Sequence, residues 1–207
     1  MKPELIIVSG CNAAGKSTFI RSRINQLEDY QIIMPDAFRE NTYPILRQSI
    51  LAAKHIILEN ILSDTNIFPL IDLAIQKGYN LTLFQLFIES PSASLERVGL
   101  RRIEENGLNI TKEEVKLNFD LNFKNLANCY YYFNNAHFIH TGIKHENELI
   151  MSFEKGVLID YKQNPLSYIQ YFNEYVRSIG KDISGYEIIK VNKDYSKNSF
   201  NKPTFLK

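Results

Sequence analysis

The stretch LIIVSGCNAAGKSTFI, Leu5 to Ile20, restricts the fold of this chain more than any other. Leu5 to Val8 is a continuous apolar, largely β-branched run ended by Ser9-Gly10, the pattern of a strand buried on both faces. From Ser17 onward Ile20, Ile24 and Leu27 recur at helical spacing, with Arg21, Arg23 and Asn25 between them. The residues joining strand to helix are Gly10-Cys11-Asn12-Ala13-Ala14-Gly15-Lys16-Ser17, which fit the phosphate-loop pattern G-x-x-x-x-G-K-[ST]. A polyphosphate needs many donors around a tight curve, and Gly10 and Gly15 permit backbone conformations that a Cβ forbids. The loop N–H groups then form an anion nest, and the following helix adds its positive end. On this reading the residues from Gly10 to Thr18 hold ATP or GTP, Lys16 reaches the β- and γ-phosphates, and the Ser17 hydroxyl binds Mg²⁺.

The rest of the chain alternates strand and helix signals. Gln31 to Asp36 reads as a short buried strand ending at Pro35. Pro44 to Leu62 begins as helix, but periodicity leaves His55 to Asn60 open between helix and strand. Phe68 to Lys77 is expected to be helical, with Gly78 at its end. Leu81 to Ile88 is the clearest strand. Ser90 and Pro91 open a helix closed by Gly107, and Thr111 to Glu114 is a capping box. The next helix carries an apolar stripe at Val115, Phe119, Phe123, Leu126, Tyr130 and Phe133, read as core. His137 to His140 is a short strand, and Glu148 to Asp160 a hairpin turning near Lys155-Gly156. Ser167 to Ile179 reads as helix, and Tyr186 to Val191 as a final strand. This order defines an α/β chain with a largely parallel sheet flanked by helices, a helical lid and a C-terminal hairpin plus extension. We divide it into a phosphate-loop domain, 1–160, and a C-terminal extension, 161–207.

Composition excludes several classes. The chain has 207 residues and a net charge of +1, so no global field favours nucleic acid or an anionic membrane. Its apolar N-terminal run is too short for a signal segment or a membrane span. Cys11 and Cys129 form no metal or redox spacing, which fits a reducing, cytoplasmic setting. His137, His140 and His145 share no regular element and do not read as a zinc site. Cys11 lies on the loop itself, so its alkylation is expected to block nucleotide binding.

A phosphate loop does not name a reaction. Phosphoryl transfer also needs a positioned acceptor and charge stabilisation from Arg, Lys and metal. Asp36 follows a strand directly and belongs at the carboxyl edge of the sheet, where it could take a proton from an acceptor hydroxyl or simply cap a helix. Glu59 joins it there if His55 to Leu58 is a strand, and is a solvated residue if that segment is helix. Arg97 and Arg101 share a helix face, with Arg102 beside them. They could close over phosphates, or pair with Glu96, Glu104 and Glu105 as a charged face.

Taken together, GCNAAGKST, MPDAFR, LENILSDTN, AIQKGYNLTLFQLFIESP, LERVGLRRI and NLANCYYYFNNAHFIHTG resemble, in order and spacing, the zeta-toxin family of P-loop kinases from Leu5 to Asp160. The resemblance implies a kinase dependent on ATP or GTP and Mg²⁺, with a small-molecule hydroxyl as acceptor. The best-known members phosphorylate UDP-N-acetylglucosamine. It implies that Asp36 is the general base, that Glu59 and Arg39 bind substrate, and that Arg97 with Arg101 or Arg102 supplies the lid. It also makes residues 56–58 a strand. An antitoxin-like protein partner is compatible with it. The chain departs from the family where NGLNIT places Leu108 and Thr111, and where Leu117, Asn118 and Leu121 stand at positions expected to hold arginines. A less basic acceptor side suits a less anionic substrate. The second reading is a nucleotide-binding regulatory module with a decayed lid.

Overall fold

The computed structural model describes residues 2–105, 110–142 and 147–203, with residues 102–105 as backbone only. Among these residues one sheet contains β1 (Glu4–Ser9), β2 (Tyr30–Ile33), β3 (His55–Asn60), β4 (Asn80–Phe87), β5 (Asn135–Thr141), β6 (Asn147–Glu154), β7 (Val157–Tyr161) and β8 (Tyr195–Ser196). Their spatial order is β2-β3-β1-β4-β5-β6-β7-β8. From β2 to β5 neighbouring strands are parallel, and from β5 to β8 they are antiparallel. The helices are α1 (Lys16–Arg21), α2 (Pro35–Phe38), α3 (Thr42–Leu51), α4 (Phe68–Gln76), α5 (Pro91–Glu105), α6 (Lys112–Cys129), α7 (Ser167–Ser178) and α8 (Tyr186–Lys190).

β1 shows why its sequence is apolar without alternation. Leu5 and Ile7 pack into one core with Leu46, Ile50, Ile71, Leu126 and Phe172, while Ile6 and Val8 pack into a second with Phe19, Ile20 and Phe84. A strand covered on both sides has no solvent face for polar residues. β1 is also the turning point of the topology, with β3 on one side and β4 on the other. In open α/β sheets the crevice outside the strand ends at such a point receives ligands. The loop after β1 lies there.

The open segment resolves as strand: β3 pairs with β1 in parallel, bringing Glu59 opposite Val8. The hairpin turns where expected, at Lys155 and Gly156 between β6 and β7. The capping box is present, with the Glu114 N–H donating to Thr111 Oγ1 at 3.2 Å and the Thr111 N–H to Glu114 Oε2 at 2.8 Å. Gly107 and Leu108 lie outside the described residues.

Two elements differ from expectation. The first helix stops at Arg21 and a 3₁₀ turn, Ile24–Gln26, follows. The Ser22 hydroxyl and the Arg23 guanidinium both donate to the Phe19 carbonyl, the acceptor that the next helical N–H would use. The Arg23 N–H turns to Ile20 instead. The segment Tyr186 to Val191 is not a strand but α8. Gly185 turns into it at φ 79°, Ile189 is fully buried, and Val191 is 65% exposed. The free edge of β7 is taken by Tyr195 and Ser196, so the earlier segment has no strand to pair with.

The segment after Asp160 shares the main core. Tyr168, Ile169, Phe172 and Val176 of α7 are buried in it, and the Tyr168 ring stacks on Phe87 with centroids 4.5 Å apart. The Ser167 N–H and hydroxyl both donate to the Glu89 carboxylate just past β4. No helix among the described residues is long and apolar enough to cross a membrane.

The histidine of β5 sets a pH limit on this fold. His137 is 4% exposed, packs against Phe84 and pairs with the Ser152 hydroxyl at 2.9 Å. Burial pushes its imidazole down to about 4. The unfolded chain therefore binds the proton first, so stability present above pH 6.5 is lost as pH falls toward 4. The expected loss between pH 7.5 and pH 5 is about 2 kcal/mol from this group. Urea titrations of wild type and His137→Phe at both pH values should show a smaller pH dependence in the variant; equal dependence would disprove the assignment.

Candidate functional site

The loop after β1 is shaped by contacts that its small residues allow. Gly10 has φ 150°, and a Cβ there would lie 2.3 Å from the Leu86 carbonyl oxygen. Ala13 and Gly15 also have positive φ, 56° and 88°, the left-handed conformation found in anion nests. Helix α1 begins at Lys16. Lys16 is 7% exposed, and its ammonium donates to the carbonyls of Gly10 and Cys11, both at 3.0 Å. An ammonium has three donors, and two tie the loop's entry to its exit. Burial lowers the Lys16 pKa, while Glu59, Cys11 and Asp36 act to raise it. A bound anion would supply the counter-charge that burial makes costly to lack.

Ser17, one residue on, donates its hydroxyl to the Glu59 carboxylate, 2.9 Å from Oε2 and 3.1 Å from Oε1. Glu59 is 9% exposed at the tip of β3. These are hard oxygen donors, the type Mg²⁺ takes beside phosphate oxygens. No three His, Cys, Asp or Glu side chains converge as metal ligands among the described residues. Ser17 and Glu59 are the oxygen donors that would hold a divalent ion beside a phosphate at this loop.

A cleft of about 310 Å³ opens over these groups, lined by loop residues 13–18, Glu59, Arg97, Leu100, Arg101, Thr141 and Asn147. Arg97 reaches it from α5. Its guanidinium donates to the Thr141 carbonyl at 2.6 Å, the Gly142 carbonyl at 2.7 Å and Thr141 Oγ1 at 3.3 Å. Arg101 is exposed on the same helix face and borders the cleft. The Arg102 side chain lies outside the described residues. Of the glutamates considered as partners for these arginines, Glu104 and Glu105 have side chains outside the described residues; Arg97 bonds to Thr141 and Gly142 at the end of β5.

Asp36 and Arg39 stand apart. Asp36 is exposed in the first turn of α2, just beyond β2, and neither residue lines the cleft. Met34, not Asp36, holds the N-cap position of α2. β2 borders β3, so Asp36 and Glu59 follow neighbouring strand tips. Arg39 has φ 48° and ψ −125°, a conformation that non-glycine residues hold only when their surroundings enforce it. His145 lies outside the described residues, and His137 and His140 sit along β5.

Cys11 is 3% exposed in the core beneath the loop, and burial raises its pKa against the pull of Lys16. A buried thiol kept protonated reacts slowly, so its alkylation needs the loop to open first.

The sequence reading noted Asn118 only as a departure from the family and passed over Asn122 and Asn125. Asn118 Nδ2 donates to Asn12 Oδ1 at 3.0 Å, and the Ser94 hydroxyl holds the Asn12 carbonyl at 2.8 Å. Asn122 bonds to Ser9, Gln85 and Ile61, and Asn125 to Leu62. The signal was their helical spacing, read over in favour of the aromatic stripe.

No family model and no curated protein sequence matches the chain. Solved structures do. One is from the PezAT chromosomal toxin–antitoxin system of Streptococcus pneumoniae, with 18% identity, 70% of each chain covered and a TM-score of 0.50. Another is the AvrRxo1-ORF1:AvrRxo1-ORF2 complex with sulphate ions, with 13% identity, 92% of this chain and 80% of that one covered, and a TM-score of 0.59. The same complex with ATP matches at 14% identity over 85% of this chain, with a TM-score of 0.59. This chain spans 64% of that one's length. A mostly parallel α/β sheet carrying a strand–phosphate-loop–helix unit at its turning point is a P-loop fold. It is the fold of these PezAT and AvrRxo1 structures.

Proposed function

We propose that the protein is a phosphotransferase that moves the terminal phosphoryl group of ATP or GTP to a hydroxyl of a small molecule. The observation that carries this is the Lys16 ammonium bridging the Gly10 and Cys11 carbonyls, with Lys16, Ser17 and Glu59 lining one cleft. Loop residues 10–18 hold the phosphates. The third Lys16 donor and the Arg97 and Arg101 guanidiniums oppose the charge that builds on the transferring group. Arg102 is the alternative lid residue. Ser17 and Glu59 hold Mg²⁺, which neutralises phosphate charge when bound. Asp36 takes the proton from the acceptor hydroxyl, and Glu59 and Arg39 contact the acceptor. UDP-N-acetylglucosamine is one candidate acceptor. The matches to the PezAT system and the AvrRxo1 complex extend the reading to a protein partner.

A second reading has its own support. Asp36 and Arg39 are exposed and do not line the cleft, and Arg97 is already engaged with backbone carbonyls. A nucleotide-binding module without turnover fits those facts. ADP release with a panel of hydroxyl acceptors separates the two. Asp36→Ala should keep ATP affinity and lose about 100-fold or more in turnover, the usual contribution of a general base. Wild-type turnover in Asp36→Ala would remove Asp36 from the mechanism, and the absence of acceptor-stimulated ADP release from the native protein would favour the module.

A further inference from the structure

The turn that follows Glu59 is strained and held from outside. Leu62 is fully buried with φ 58°, a left-handed conformation that is unfavourable for a non-glycine residue. Its N–H donates to Asn60 Oδ1 at 2.5 Å. Its carbonyl accepts from Asn125 Nδ2 at 2.7 Å, and the Ile61 carbonyl accepts from Asn122 Nδ2 at 2.5 Å. Three amides thus define a backbone that would otherwise relax. Such strain persists only where neighbours over-determine it.

Asn122 does more than hold the turn. It is 2% exposed; the same Nδ2 reaches Ser9 Oγ at 3.1 Å and its Oδ1 accepts from Gln85 Nε2 at 2.8 Å. Ser9 is the last residue of β1, directly before Gly10, and pairs with Gln85 in the sheet. One side chain therefore joins the strand that launches the phosphate loop, the strand beside it, and the turn after Glu59. Asn118, one helical turn earlier, bonds to Asn12 within the loop. The row of α6 asparagines thus contacts the loop, the end of β1 and the turn after Glu59.

We propose that Asn122 and Asn125 are positioning residues that set the reach between Glu59 and Ser17, and so govern how the loop accepts a divalent cation with its phosphate. This rests on the phosphate-binding reading of the loop. The loop's own donors are left in place when these amides are removed, so metal-free nucleotide affinity should be spared. Outer partners of metal-binding groups typically contribute about 10-fold or more in metal affinity.

The test is calorimetric titration of ATP into wild type, Asn122→Ala and Asn125→Ala, each with Mg²⁺ and with EDTA. Asn128→Ala is the control, an exposed asparagine of α6 bonded only within its helix. The Mg²⁺-dependent gain in affinity should fall about 10-fold in Asn122→Ala and in the same direction in Asn125→Ala. The EDTA affinity, and both affinities of the control, should hold. Equal losses with and without Mg²⁺ would mean general loosening and overturn the proposal, as would no change. If Asn122→Ala does not fold, the half-buried Asn125 carries the test. A wild-type protein that binds no ATP in either condition would defeat the loop reading itself, and the proposal with it.

Discussion

Alanine at Lys16 is expected to abolish measurable triphosphate binding while leaving the protein folded. The ammonium is the buried cation of the loop, and it holds the Gly10 and Cys11 carbonyls at 3.0 Å. Its removal takes away a charge-assisted bond to phosphate and the tie that keeps the loop curved. Together these should cost about 3 kcal/mol or more, which is about 100-fold in Kd. Stability should respond far less. Burial already disfavours the charged lysine, as its lowered pKa shows, so alanine relieves a desolvation cost as it strands two carbonyls beside an open cleft. Titration with a fluorescent ATP analogue and a thermal melt on the same sample check both halves. Wild-type affinity in Lys16→Ala would remove the loop as the phosphate site.

Gly10→Ala should act on the fold itself. The added Cβ would meet the Leu86 carbonyl oxygen at 2.3 Å and Ala14 Cβ at 3.0 Å. The first is backbone of β4 and cannot swing aside. Overpacking of this kind costs about 1–3 kcal/mol, and the φ of 150° adds strain of similar order. A combined loss of about 3–5 kcal/mol is a large part of a typical domain's stability and should lower Tm by roughly 10 °C. Gly15→Ala is the internal contrast. Its φ is 88°, but an added Cβ there meets nothing within 4 Å. It should show only the conformational cost, about 1–2 kcal/mol. Equal effects of the two substitutions would show that the contact with β4 is not what demands glycine at residue 10.

Much of this arrangement can be read before folding is considered. The unbroken apolar run of β1 calls for cover on both faces, and its pattern with the loop and helix behind it specifies a parallel sheet. Pro91, the Thr111–Glu114 box and Lys155-Gly156 mark boundaries because caps and turns are local chemistry. Where short segments were misread, the deciding contacts were distant or lay in side chains. α8 looks like a strand until β8 takes the edge it would need. The first helix ends early because Ser22 and Arg23 capture one carbonyl.

The site divides along the same line. The phosphate loop is complete within a few consecutive residues, so the chain alone determines its donors, its glycines and its lysine. Glu59 becomes a site residue only when β3 lies beside β1, and Arg97 finds its carbonyls only when α5 crosses the end of β5. The asparagines of α6 are the clearest case. Asn122 meets Ser9 across 113 residues of sequence, and an amide at helical spacing looks the same whether it faces water or a strained turn. Local pattern reports the backbone a segment prefers. Which polar groups lose water and must find one another is decided by strand order, and only the assembled sheet sets that.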